Sequence, residues 1–189
     1  MPANKTFLGI SLGETINGKA LADGSSALLS GDNELSAVAE ERYSKKKYAG
    51  GFYLSHKELI KDRKISNTDI DIVITSSCCE NERIINANKY FPTSKIISCN
   101  HHLSHALGVF STSPFDEALV CIFDGGGNTS GMSNSKDWWS VPREQHSYYI
   151  INGSSVRKVG DDFSKPFQLG FGETYRAFVK YLGLGSAEN

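Results

Sequence analysis

Short apolar runs, each closed by glycine or a polar cluster, set the rhythm of this chain. "KTFLGISLG" (Lys5–Gly13) is an apolar stretch that stops at glycine and predicts a strand. Polar, glycine-punctuated "GETINGKALADG" (Gly13–Gly24) predicts a loop. Ala27-Leu28-Leu29 and Leu35–Ala39 then flank a turn at Gly31-Asp32-Asn33-Glu34, a hairpin that continues the first strand as an antiparallel meander. Three successive lysines and a double glycine in "SKKKYAGGFY" predict an exposed loop. "SHKELIKDRK" predicts a helix, with Ser55 as N-cap and Glu58 as its capping-box partner. "DIDIVITSS" (Asp69–Ser77) reads as a buried strand, "NERIINANKYF" as a short helix ended by Pro92, and "SKIISC" as a strand feeding the next helix.

The theme then returns. Pro114 closes the helix, and the apolar strand Ala118–Phe123 runs into the glycines of "DGGGNTSG". His146–Gly160 predicts a second hairpin around Asn152-Gly153, and "GETYRAFVKYLGLG" an amphipathic helix that ends in glycines. Strand, glycine turn, hairpin and helix occur twice, as a repeat of pattern with little identity between residues. The second copy stops after its first helix. Two regions are therefore expected, 1–114 and 115–189.

Composition removes several classes. The chain has 189 residues, a net charge of −1 and 39% hydrophobic residues, the profile of an ordinary globular protein. No bulk basic charge points to nucleic acid, and no apolar run approaches a membrane span. "MPANKTFLGISLG" lacks the features of a signal peptide, so a cytoplasmic location is expected. Cys78, Cys79, Cys99 and Cys121 show no C-x-x-C spacing and are expected to be buried free thiols.

"NHHLSHALGVF" (Asn100–Phe110) holds three of the five histidines. With Asn100 as cap and ~100° per residue, Leu103, Ala106, Leu107 and Phe110 form one stripe expected to be buried. His101 and His105, at i and i+4, point away from it, with Gly108 on their face; His102 lies to one side, toward Val109. The outward pair has two readings: solvent-exposed imidazoles, or two ligands for one metal ion. No glutamate lies inside the pair, so a hydrolytic, water-activating role is not supported. Asp124, at a strand end, is the candidate third ligand. Gly125, Gly126 and Gly127 after it offer backbone N–H groups of the kind that cradle phosphate, the alternative being a tight turn with a capping Asp. No G-K-[ST] follows, so this is not a Walker loop.

Three stretches, "FLGIS…DGSSALLSGDNELSAVAEERYSKKKYAGGF", "NHHLSHALGVFSTSPFDEALVCIFDGGGN" and "GETYRAFVKYLGLG", resemble the N-terminal part of the antibiotic and nodulation O-carbamoyltransferases. The resemblance covers most of the chain in order, and the His cluster with S-P-F and D-G-x-G is its most specific part. It implies an α/β fold: an actin-like ATPase (ribonuclease H-like) lobe with a mixed sheet, plus the start of a second, incomplete lobe. The implied reaction joins carbamoyl phosphate and ATP into carbamoyl adenylate and passes the carbamoyl group to a hydroxyl of a small natural product. The implied metal ligands are His101, His105 and Asp124, around a divalent ion, iron first, with zinc or magnesium as alternatives. His102 is the candidate general base for the acceptor hydroxyl, and Asp23 the second catalytic candidate. Gly125, Gly126, Gly127 and Asn128, with Tyr175 and Arg176, are candidates for the nucleotide side. A plain core-and-surface role for the last helix stands beside that reading.

Three departures from the family pattern stand out. Ala22 stands where the family carries a histidine before the retained Asp23, and Tyr48 where "EERYSKKK" should end on histidine. A step that needs the first imidazole is therefore absent or done by another residue. The chain also stops at "GSAEN", before a second lobe and an adenylate-forming domain. A second chain or a further C-terminal portion is thus expected to complete the nucleotide site, with oligomerisation possible. A catalytically inactive metal- or nucleotide-binding partner or regulator of the same fold is the alternative. A sugar kinase-like or chaperone-like role explains the histidine pair least well.

Overall fold

Leu8 and Ile10 alternate with half-buried neighbours along β1 (Phe7–Ser11), so the strand turns one face into a core. This is seen in a computed structural model, which describes residues 5–11, 23–31, 34–77, 87–129, 141–164, 168 and 170–184. Packing divides the chain into Met1–Cys99 and Asn100–Asn189, which puts the histidine helix in the second unit.

In the first unit β1 pairs antiparallel with β2 (Ser25–Leu29), and β2 antiparallel with β3 (Leu35–Ala39). The expected meander is present. β4 (Ile72–Ser77) pairs parallel with β1, and the five-stranded sheet runs β3-β2-β1-β4-β5, with β5 spanning Lys95–Asn100. A short helix, α1 (Glu41–Ser44), and a longer one, α2 (Tyr53–Asp62), follow β3. Leu8, Ile10, Leu28, Phe52, Leu59, Ile70, Val73, Ala87 and Phe91 form the core. Full burial of each large side chain in that set contributes roughly 1.5–3 kcal/mol. Residues 87–90 are helical, consistent with the helix expected before Pro92. The rest of that helix, most of the Gly13–Gly24 loop, and Cys78 and Cys79 lie outside the described residues.

Two expectations for this unit are corrected. Phe52, placed in an exposed loop, is fully buried against Tyr90 and Phe91. Its ring supplies core volume that the lysines before it conceal. Ser55 is not the N-cap of α2, which is Phe52. Ser55 lies in the first turn, where its hydroxyl meets Ser26 Oγ at 2.9 Å.

The cap comes from upstream. The buried carboxylate of Glu40 accepts the N–H groups of Leu54 and Ser55, at 2.9 and 2.8 Å. A carboxylate there satisfies two donors that the helix cannot, and it meets the positive end of the helix dipole. Glu40→Ala is expected to cost about 2 kcal/mol by urea denaturation, and Glu40→Gln, which keeps one carbonyl oxygen, less. An unchanged midpoint in Glu40→Ala would refute this cap.

The second unit repeats the meander. β6 (Glu117–Phe123) pairs antiparallel with β7 (Arg143–Asn152), and β7 with β8 (Ser155–Ser164). Gly153, at a left-handed φ of 54°, makes the expected turn. α3 (His101–Ser111) lays Leu103, Ala106 and Phe110 against Val120, Ile122, Tyr149 and Ile151. α4 (Phe171–Tyr181) is the last helix. Cys121, expected to be buried, is exposed, because alternation along β6 turns Val120 and Ile122 inward. No helix among the described residues is long and apolar enough to cross a membrane.

Candidate functional site

Asn100 caps α3 as its sequence position predicts, its Oδ1 accepting Leu103 N–H at 3.0 Å. Asn128, a nucleotide-side candidate, has a second capping role: its Oδ1 accepts His101 N–H at 2.8 Å. The start of the histidine helix is thereby tied to the loop that follows Asp124.

That tie brings three candidate ligands together. His101 Nε2 lies 2.7 Å from Asp124 Oδ2 and 3.1 Å from His105 Nε2. One ligand atom from each of His101, His105 and Asp124 falls within 4.8 Å of the others. Two imidazole nitrogens facing each other across a hydrogen-bond distance have room for one proton, so they suit a shared cation. The donor set, two imidazoles and a carboxylate, fits a divalent transition-metal ion.

Protonation favours the same use. The hydrogen bond from His101 lowers the Asp124 carboxyl to about 2, overcoming burial, with the His101 charge and the Gly125 N–H acting the same way. Asp124 stays anionic throughout the neutral range. Burial pulls the His105 imidazole below its ordinary value, and neighbouring His101 lowers it further against the pull of Asp124. A neutral imidazole is the form that binds metal.

His102 departs from its expected place. Its side chain is fully buried, facing β7 rather than lying sideways toward Val109, while Leu107, expected in the buried stripe, is partly exposed. Ser147 on β7 is the reason: its Oγ meets His102 Nδ1 at 2.8 Å, giving the inward-turned ring a polar partner. Burial lowers the His102 pKa more than Glu144 and Asp124 raise it. His102 and His105 thus hold protons more weakly folded than unfolded. The unfolded chain protonates first, so stability is complete above about 6.5 and falls as pH drops below it. Urea midpoints of chelator-treated protein are expected to decline from pH 7.5 to 5, and a midpoint that rises would contradict the sign.

Of the two readings of the glycine loop, the local geometry has the features of the tight turn with a capping Asp. Gly125 N–H donates to Asp124 Oδ1 at 2.6 Å, and Gly127 N–H to Glu144 O at 2.6 Å. The first of these bonds stays within the loop, and the second ties the loop to β7. Gly127 is needed for space: a Cβ there would lie 2.6 Å from His102 Nε2 and 3.1 Å from Glu144 Oε2. A Cβ on Gly172 of α4 would lie 2.7 Å from the Asp124 carbonyl oxygen, so the start of α4 packs on the Asp124–Gly125 peptide.

Arg176 reaches the same corner, its guanidinium 3.5 Å from where a Gly125 Cβ would be, and it pairs with Glu173 at 3.2 Å. Tyr175 is 65% exposed. Asp23 belongs to the first unit, at a left-handed φ of 59°, where it lines a cavity of about 360 Å³ with Ser25, Ala39, Glu41 and Tyr48.

Sequence reasoning passed over Glu144, Ser147 and Lys158. Glu144 is fully buried and accepts from Ser147 Oγ at 2.6 Å and from the Lys158 ammonium. Burial alone would raise the Glu144 carboxyl; the bonds from Lys158 and Ser147 and the nearby His102 hold it below its ordinary range. The available signal was a glutamate and a serine inside the strand "REQHSYYIIN", with a lysine on the returning strand.

No family model matches the chain. The uncharacterized protein MJ1051 of Methanocaldococcus jannaschii is 30% identical over 148 residues, which cover 77% of this chain and 28% of that protein. The chain therefore spans just over a quarter of this relative's length. Among solved structures, YeaZ from Pseudomonas aeruginosa superposes with a TM-score of 0.52 at 10% identity, covering 87% of this chain and 70% of YeaZ. HypF from T. kodakarensis gives a TM-score of 0.52 at 12% identity, over 85% of this chain and 19% of HypF. Likeness at such identity concerns the fold. The chain has a mixed-sheet α/β fold of the actin-like ATPase type.

Proposed function

We propose that this chain is part of a metal-assisted O-carbamoyltransferase that moves a carbamoyl group from carbamoyl phosphate, through carbamoyl adenylate, to a hydroxyl of a small natural product. The observation that carries the reading is the convergence of His101, His105 and Asp124 at the start of α3 and the end of β6. The resemblance of the His cluster and D-G-x-G stretch to that family supplies the chemistry.

His101 and His105 would hold a divalent ion through Nε2, and Asp124 through Oδ2; iron or zinc suits this donor set better than magnesium. Such an ion, when bound, polarises a carbonyl and neutralises phosphoryl charge. Asn100 and Asn128 hold the first turn of α3 in place, and through it the two imidazoles. Arg176, beside Gly125, is the side chain placed to meet a phosphate on this side. Gly126, Asn128 and Tyr175 remain nucleotide-side candidates, whereas Gly125 and Gly127 would first have to release their present hydrogen bonds. His102 faces this corner from within, as the candidate acceptor for a hydroxyl proton, and Asp23 is the candidate from the first unit. A second chain or a further C-terminal portion would complete the nucleotide site. In support, Phe171, Tyr175, Phe178 and Leu182 leave an exposed apolar stripe along and just beyond α4.

The alternative, a catalytically inactive binding partner or regulator of the same fold, is favoured by one observation: Ala22 replaces the family histidine. Alanine neither donates nor accepts a proton. Carbamoyl phosphate-dependent ATP turnover decides between the two, measured on this chain alone and with any separately encoded second lobe. Turnover that is lost in Asp124→Ala supports the transferase. Stoichiometric metal binding without turnover in either setting selects the inactive partner.

A further inference from the structure

Behind the candidate metal centre lies a run of buried polar groups whose proton positions follow from counting. Glu144, held ionised, carries no proton and accepts from Lys158 Nζ and from Ser147 Oγ. Lys158 is itself anchored by Asp161 at 2.7 Å. The serine hydroxyl has one proton and gives it to Glu144. Its 2.8 Å contact with His102 therefore requires His102 Nδ1 to donate. A neutral imidazole protonated at Nδ1 has its lone pair on Nε2. That Nε2 is buried and, among the described residues, without a hydrogen-bond partner, with Asp124 Oδ2 at 3.8 Å and Gly127 beside it.

We propose that Ser147, Glu144 and Lys158 are positioning residues that lock His102 in its Nδ1–H tautomer and turn the Nε2 lone pair toward the Asp124 corner of the site. Asp124 Oδ2 already accepts from His101, whereas the buried Nε2 lone pair has no donor among the described residues, so the arrangement favours a ligand that donates to Nε2. The matching ligand class is a hydroxyl-bearing molecule, either water or the alcohol that accepts the transferred group. This assignment of a ligand rests on the metal-assisted reading. The tautomer does not, because it is set by the buried bonds of the chain itself.

The test is a two-bond 1H–15N correlation spectrum of the histidine side chains, recorded on the full, chelator-treated, 15N-labelled chain near pH 7.5. His102 is expected to show the pattern of a ring protonated at Nδ1. Ser147→Ala removes the acceptor and is expected to move His102 toward the Nε2–H form, which points a donor at Asp124. Ser147→Thr keeps the hydroxyl and is expected to restore the wild-type pattern. An Nε2–H or doubly protonated His102 in the wild-type chain overturns the proposal. So does a folded Ser147→Ala variant with an unchanged pattern. If the Nδ1–H form is found and no ion binds, the positioning chain stands and the metal reading fails, so the two fail separately.

Discussion

Gly127→Ala is expected to destabilise the second unit by about 3 kcal/mol, at the upper end of what overpacking a filled interior costs. The added Cβ would meet His102 Nε2 at 2.6 Å and Glu144 Oε2 at 3.1 Å, and both side chains are fully buried. Neither can swing into solvent. His102 is held at Nδ1 by Ser147, and Glu144 by Ser147 and Lys158, so the clash must be relieved by moving the loop after Asp124. That movement would strain the Gly127 N–H bond to the Glu144 carbonyl and the Asn128 cap on His101. Gly108→Ala is the matched control: a Cβ there meets nothing within 4 Å, and alanine favours a helix over glycine by about 1 kcal/mol. Urea denaturation checks both. A Gly127→Ala midpoint equal to wild type would show that the packing around His102 is looser than described.

Asp124→Ala and His101→Ala are each expected to weaken binding of a divalent transition-metal ion by about 100-fold or more. Loss of a group that merely orients a ligand typically costs 10–100-fold, and loss of a ligand costs at least the upper part of that range. Asp124 is the more telling of the two. Its carboxylate is the one anionic group of the trio, held ionised by the hydrogen bond from His101. Its side chain is 31% exposed, so alanine leaves no sealed cavity and the variant should stay folded. Affinity should also fall with pH in the wild-type chain, since protons compete with metal for His101 and His105. Competition titrations against a chelator read both effects. Wild-type affinity in both variants would remove the site.

How far the sequence carried this account depends on the range of each interaction. The β1–β2–β3 meander was legible because alternation and the turn at Gly31 are local. The same is true of the Asn152-Gly153 hairpin and the Asn100 cap. Convergence of His101 and His105 follows from i, i+4 spacing on one helix, and the return of the strand that ends at Asp124 is what the family resemblance implies. Elements fixed by distant partners were not legible. His102 turns inward because Ser147, 45 residues later, answers its Nδ1. The helical wheel alone has no means to anticipate that serine. Ser55 looked like a cap because capping boxes are local, yet the acceptor is Glu40, 15 residues earlier. The Gly127 N–H could be read as open, yet it is taken by the Glu144 carbonyl on β7. In each case a polar group met a partner that only the tertiary structure brings.

Whether His101, His105 and Asp124 form one metal site is decided by loading the chelator-treated chain with Zn2+ or anaerobic Fe2+. Bound ion per chain is then counted, and the ligands are read by X-ray absorption. One ion per chain with two imidazole ligands is expected, lost in His101→Ala and in Asp124→Ala. No stoichiometric uptake, or an ion whose imidazole ligands survive both substitutions, would contradict it.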